Sequence, residues 1–305
     1  MAEYTTSQLL ALVNGSQVSA GDERVRTVTA RIVTDLFHTI EEFKVTPNEF
    51  WSAMKWLNRL GEANMVGLIT AGLGFDRLLD ILAEEADQAE APEKGTPRAI
   101  EGPLYVAGAP LAMREVRLDE GNEGKGEVLV MEGRVLGLDG KPVPHASVDV
   151  WHCNELGRYS HFDPDQPGYN LRRRIETDAE GNYRFRSFLP PGYAIPPGSP
   201  VSELFDLLGR HGNRPAHIHF LVSGGGKRAL TTQVNIPGDT FLDDDFAFAT
   251  RDGLVVALTK VESSTEFASL GVTGPFTHVR FDFVLQDALR EDEMIAASRY
   301  DTAAL

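Results

Sequence analysis

Cysteine is nearly missing from this sequence: Cys153 is the one thiol in 305 residues. No intrachain disulfide can form, and a zinc site built on cysteines is excluded. Positive charge is scarce as well. Lys and Arg number 29 against 45 Asp and Glu, for a formal net charge of -16. That balance argues against a nucleic-acid surface, which depends on clustered positive charge. The one basic run, Arg172-Arg173-Arg174, reads as a solvated or salt-bridged strand edge. Long apolar runs are also lacking: none approaches the ~20 residues that span a bilayer, so no membrane insertion is expected. Met1 to Ser16 hold no basic segment followed by an apolar stretch and a small-residue cleavage site, which makes the cytoplasm the expected compartment. What is present is ordinary globular material, 42% hydrophobic and 24% charged, long enough for a well-buried core.

The first part of the chain reads as helix. From Glu23 to Phe43, Val25, Val28, Ile32, Val33, Leu36, Ile40 and Phe43 recur at helical steps and share one face. Thr46-Pro47-Asn48-Glu49 combines an N-cap, a proline at the first helical position and a capping-box glutamate. The helix it starts carries Phe50, Trp51, Met54, Leu57 and Leu60 and ends near Gly61; another covers Phe75 to about Ala86. Gln88 to Pro97 form a break without periodicity. After it, short β-branched runs alternate with turn signals: Glu127–Leu136, Ala146–Trp151, Asn182–Phe188, His217–Val222, Leu230–Ile236, Leu254–Val261 and His278–Leu285. Asp139-Gly140 lies between the first two, where a hairpin turn belongs. Strands at this density imply a sandwich or barrel. The expected fold is mainly β, with a helical N-terminal part over residues 1–95 and a β-sandwich domain over 96–305. The helices either cap the sandwich or form a dimer interface.

The candidates for chemistry gather in a few segments. His217 and His219 are two apart in an apolar run, so a strand would project both imidazoles from one face. Neutral imidazole is a ligand for Zn, Cu, Fe and Ni, so the pair alone does not select the metal. With no second cysteine, further ligands must be carboxylates or tyrosines. His161-Phe162-Asp163 has the His-X-Asp form of a non-haem Fe(II) facial triad, but its Pro- and Gly-rich surroundings read as loop. The other candidates are Tyr159, after Leu156-Gly157-Arg158, and Tyr193, in Pro190-Pro191-Gly192-Tyr193-Ala194-Ile195. A phenol with a pKa near 10 binds metal well only where the ion strongly favours its anion, as Fe(III) does.

These segments resemble the intradiol ring-cleaving dioxygenases, in their catechol 1,2-dioxygenase branch. The resemblance runs through Thr96 to Pro110, Val150-Trp151-His152-Cys153-Asn154, Tyr159 to Asp163, Arg210 to Phe220, Leu230-Thr231-Thr232-Gln233 and Asp244 to Leu254. It extends to Gly72-Leu73-Gly74-Phe75-Asp76 in the helical part. It implies that Tyr159, Tyr193, His217 and His219 hold Fe(III), and that catechol is cleaved by O2 to cis,cis-muconate. Tyr193 would leave the ion and act as a base, while Arg214 and Gln233 would face the substrate. Two phenolates and one hydroxide balance the triple charge. The implied substrate pocket comprises Leu68, Ala71, Ile100, Pro103, Leu104, Ile195, Arg214, Phe246 and Ala247. Ala71 stands where many members have proline, which widens one wall, and Ala194-Ile195 where many have Gly-Cys, which narrows another. A methylene's fit discriminates by only ~1–3 kcal/mol, so the preference among catechol and its methyl or chloro derivatives stays open. The resemblance also implies a homodimer joined through the N-terminal helices, with a phospholipid held there. A zinc or Fe(II) enzyme built on His161 and Asp163, and a non-catalytic carrier of small aromatics, are the competing readings.

Overall fold

The computed structural model describes residues 4–15, 21–90 and 94–288, with only the backbone of 88–90. Residues 91–93, inside the expected break, lie outside the described residues. The chain forms two compact units, Met1–Glu62 and Ala63–Leu305.

The first unit is helical: α1 (Thr6–Asn14), α2 (Glu23–Glu42) and α3 (Pro47–Glu62). Each start is capped by its own sequence. Asp22 accepts from the Val25 N–H at 2.9 Å, and Glu49 accepts from the Thr46 N–H at 2.8 Å while Thr46 Oγ1 accepts from the Glu49 N–H. Such reciprocal bonds satisfy donors that a helix start leaves open. The apolar stripe of α2 stays exposed, Val25 at 62%, Ile32 at 53% and Leu36 at 55%.

The second unit begins with α4 (Val66–Gly72) and α5 (Phe75–Glu90), so the compact units part at 62/63 whereas the composition changes near 95. Its strands are β1 (Leu111–Met113), β2 (Glu115–Arg117), β3 (Val128–Gly137), β4 (Ser147–Trp151), β5 (Arg172–Glu176), β6 (Asn182–Phe188) and β7 (Tyr193–Ala194). After α6 (Pro200–Leu207) come β8 (Asn213–Arg214), β9 (His217–Gly224), β10 (Lys227–Asn235), β11 (Thr259–Val261), β12 (Phe276–Arg280) and β13 (Phe283–Leu285). One sheet runs β1-β5-β4-β9-β10 and the other β11-β12-β3-β6-β2, with β13 also on β3; β7 and β8 make a separate ribbon. Val148, Val150, Ile218, Phe220 and Val222 from the first sheet share a core with Leu129, Met131, Phe185 and Phe283 from the second. That shared core makes the unit a sandwich. Burying each such side chain stabilises the fold by about 1.5–3 kcal/mol.

Several local expectations change. Asp139-Gly140 does turn the chain, with the Gly137 N–H donating to Lys141 O and the Val143 N–H to Val135 O. The hairpin stops there, because Pro142 and Pro144 cannot donate to a ladder. The chain then crosses to the other sheet, where β4 pairs with β5 and β9 rather than with β3. Leu254–Val261 contributes only β11, and His278–Leu285 splits into β12 and β13. Of Arg172-Arg173-Arg174, only Arg174 has a strand on both sides, β1 and β4, whereas Arg172 and Arg173 pair with β4 alone.

The split near Phe281 depends on Gly133. Both β12 and β13 pair with β3 in parallel, either side of that glycine. A Cβ on Gly133 would stand 1.7 Å from the Phe281 carbonyl oxygen, so the two backbones meet only because no side chain is present. Gly133→Ala is expected to cost about 3 kcal/mol, read as a lower urea midpoint with unchanged slope; an unchanged midpoint would contradict this packing.

Candidate metal centre

Strand β9 has two faces with different work. Ile218, Phe220 and Val222 point into the sandwich core, and the alternation of a strand sends His217 and His219 to the opposite face. Both histidines are 1% exposed, and their Nε2 atoms stand 3.0 Å apart. The His217 Nδ1–H donates to Pro215 O at 2.6 Å, which makes Nε2 the nitrogen that carries the lone pair a metal would use. Trp151, on the neighbouring β4, stacks on the His219 ring at 5.0 Å and 5° and fixes its plane.

Two tyrosines complete the cluster, Tyr159 from a loop and Tyr193 from β7. Tyr159 is 4% exposed and follows a turn in which Asn154 Oδ1 accepts from the Leu156 and Arg158 N–H groups. Gly157 has φ +74, and a Cβ there would sit 2.6 Å from Tyr193 Cβ; glycine is what lets the two tyrosine segments touch. The tyrosine rings meet edge to face at 5.5 Å. Tyr193 is only partly buried, pairs with Arg214 across the β7–β8 ribbon, and brings its Oη to 3.5 Å from His217 Nε2.

Arg214 sits beside this group. Its guanidinium donates twice to Asp245 at 3.1 Å and once to Gln233 Oε1 at 2.9 Å, and its Nη1 lies 3.1 Å from His217 Nε2. Burial works against its charge, but Asp245 outweighs that and raises its pKa. Burial alone would likewise raise the Asp245 pKa, yet Arg214 holds it below the ordinary carboxylate value. Asp245 also accepts from the Ala247 and Ala249 N–H groups, so one carboxylate ties Arg214 to the wall formed by Phe246 and Ala247. Burial lowers His217 to about 3 and His219 well below its usual value; both imidazoles are neutral. Burial raises Tyr159 well above 10 and raises Tyr193 as well, with Arg214 opposing it.

A small cavity opens beside the cluster, lined by Leu68, Ala71, Ile100, Pro103, Leu104, Tyr193, Arg214, His219, Phe246 and Ala247, together with Glu101 and Gly102. Ile195 is not among the lining residues; its side chain packs on Gly212. Gln233 also lies off the lining, fully buried, where it holds Arg214 and donates to Asn235 Oδ1. The His161 and Asp163 alternative does not assemble. His161 Nε2 accepts from the Tyr169 N–H, Asp163 accepts from Asp165 and Gln166, and no three of His, Cys, Asp and Glu converge as a metal site among the described residues. His152 is a satisfied core histidine, bonded to Cys153 O and Ser187 Oγ.

Two family models match, "Catechol dioxygenase N terminus" over residues 22–91 and "Dioxygenase" over residues 100–287. Catechol 1,2-dioxygenase 2 of Acinetobacter lwoffii is 54% identical over 262 residues, 86% of this chain and 95% of that one. This chain belongs to the catechol dioxygenase family. The crystal structure of wild-type catechol 1,2-dioxygenase from Acinetobacter radioresistens matches with a TM-score of 0.89 at 44% identity, covering 95% of each chain. A hydroxyquinol 1,2-dioxygenase from Rhizobium is more distant, 33% identical over 87% of this chain and 90% of its own.

Intradiol dioxygenases use non-haem iron, and the donor set here fits such an ion. The two Nε2 atoms, 3.0 Å apart, are near enough for one ion to be held by both at an ordinary imidazole–metal bond of roughly 2.1 Å. Tyr159 Oη is buried facing the Tyr193 hydroxyl without a well-formed hydrogen bond, which costs about 1–3 kcal/mol unless another group takes its place. Sequence reasoning missed Asp245. It ends the run Asp243-Asp244-Asp245, in which Asp244 is an exposed partner of His211, and nothing in the run marks one member as buried.

Replacing Asp245 with asparagine strands the Arg214 charge and is expected to cost about 3–5 kcal/mol at neutral pH. The folded pKa of Asp245 lies below its unfolded value. The pair's contribution is therefore complete above the unfolded pKa of roughly 3.9 and is lost as pH falls through the folded value. Denaturant melts of both proteins should converge in acid; a gap unchanged from pH 7 to pH 2 would contradict the assignment.

Proposed function

We propose that this chain is a catechol 1,2-dioxygenase that cleaves catechol between its hydroxyl-bearing carbons with O2, giving cis,cis-muconate, and that Tyr159, Tyr193, His217 and His219 hold its Fe(III). The observation that carries the reading is the meeting of two phenols and two neutral imidazoles at one buried point, with no carboxylate among them. Phenols whose pKa burial has raised give up their protons only to a strongly charged ion, which favours Fe(III) over Zn or Fe(II). When bound, the ferric ion withdraws electron density so that a ring carbon becomes open to O2.

The chain's own groups then have distinct work. Tyr193 is the more exposed phenol and forms part of the cavity wall, so it is the one free to turn aside and take a catechol proton on its Oη. Tyr159, enclosed by Trp151, Cys153 and Leu221, stays in place. Arg214 is held flat by Asp245 and Gln233, and its charge stabilises negative charge that develops on the ring. Leu68, Ala71, Ile100, Pro103, Leu104, Phe246 and Ala247 provide an apolar slot that orients the ring and excludes water. Because Ile195 packs on Gly212, it acts on ring substituents only through its neighbours, and Ala71 is the more direct influence on substituted catechols.

The exposed stripe of α2 supports a homodimer through the N-terminal helices, with a phospholipid between them. Placement in the cytoplasm accords with the lack, among the described residues, of any helix long and apolar enough to cross a membrane.

An oxygen electrode with catechol, run beside a metal analysis, tests the activity: coloured, iron-containing protein should consume O2 and form muconate. Tyr193→Phe should lower kcat by roughly 10²- to 10⁴-fold, and Tyr159→Phe should lose iron and colour. Activity in a colourless, iron-free preparation would falsify the ferric reading. For the dimer, the double substitution Ile32→Glu and Leu36→Glu should halve the mass seen by light scattering, and a mass unmoved by it would place the interface elsewhere.

A further inference from the structure

Arg172 is the exception among the buried arginines. Arg186 pairs with Asp119 at 3.0 Å and Arg214 with Asp245. Arg172 is 2% exposed and has no carboxylate within ion-pair reach among the described residues. Its Nε donates to Ser160 Oγ at 2.8 Å and its Nη2 to Ser160 O at 3.2 Å, while Nη1 has no partner. The guanidinium carbon stands 5.8 Å from the centre of the Tyr159 ring. Its neighbour Arg173 behaves as the sequence suggests for this run, pairing with Glu120.

A buried charge without a partner is strongly disfavoured, so a fold that keeps one implies an anion that arrives later. Three phenols lie near it, and Tyr105 is committed as a donor to the Asp149 carboxylate. Tyr169 is committed as a donor to Ala107 O, whereas Tyr159 becomes a phenolate when it serves as a ligand. Arg172 is placed for this by its strand. It lies directly across from Trp151 on β4, the residue that stacks on His219, and it grips the residue next to Tyr159 through the Ser160 hydroxyl and carbonyl.

We propose that Arg172 is the positioning residue and countercharge of Tyr159: it anchors the tyrosine's loop through Ser160 and sets a permanent positive charge against the ring, which reduces the electron donation of that phenolate to the ion. The proposal rests on the ferric reading above. A fixed cation beside the donor raises the energy needed to move an electron from phenolate to iron and raises the Fe(III)/Fe(II) potential.

The test compares the full iron-loaded chain with Arg172→Met and Arg172→Lys. The readouts are the position of the tyrosinate-to-iron absorption band and the potential from spectroelectrochemistry. Arg172→Met should move the band to longer wavelength and lower the potential, and Arg172→Lys should restore most of both. A band and potential in Arg172→Met equal to those of the parent overturn the proposal and leave Arg172 a purely structural residue. If Arg172→Met does not fold, Ser160→Ala decides. It loosens the guanidinium while keeping the charge, so a smaller shift in the same direction supports the proposal and an unmoved band overturns it. A parent protein with no such band at all would instead overturn the ferric reading itself.

Discussion

The alternation of β9 is the constraint on which both core and site depend. Ile218, Phe220 and Val222 drive the strand into the sandwich, and that burial fixes its register against β4 and β10. Once the register is set, His217 and His219 must stand together on the opposite face, because a slip of one residue would exchange the two sets. The same register places Trp151 beside His219 and Gln233 across from it. Hydrophobic burial thus positions polar groups that would otherwise favour water.

Charge balance is the second organising feature. A chain with so many acids places few of them near the proposed iron. Asp245 is committed to Arg214 and to the backbone of the cavity wall, so it orients a cation rather than competing for the metal. The remaining negative charge at the centre would come from phenolates, which are neutral until an ion arrives. Arg172 fits this scheme as a cation whose partner appears only on metal binding, and Arg214 fits it as a cation kept rigid for the substrate.

Much of this was legible beforehand, for identifiable reasons. Strands β3, β4, β6, β9 and β10 announce themselves because apolar residues facing the shared core recur with strand periodicity. The helix starts at Glu23 and Pro47 are written in local capping chemistry, which needs no distant partner. What stayed hidden was long-range. The first expected hairpin stops at Pro142 and Pro144, and β3 pairs along its length with β6, β12 and β13 instead. Nothing within Arg172-Arg173-Arg174 distinguishes the buried member from its neighbours, and the same holds for Asp243-Asp244-Asp245. Ile195, placed in the expected pocket, turned out to pack on Gly212.

By itself the sequence determined the class of fold, the kinds of donor that could bind a metal, and the face shared by His217 and His219, because these follow from local spacing and side-chain chemistry. Tertiary structure alone decided that Tyr159 and Tyr193 come to the same place, since one lies on a loop and the other on the short strand β7, and their rings touch because Gly157 lets the two segments approach. It alone decided which arginine keeps a carboxylate and which does not, because the cost of a buried charge depends on neighbours far away along the chain.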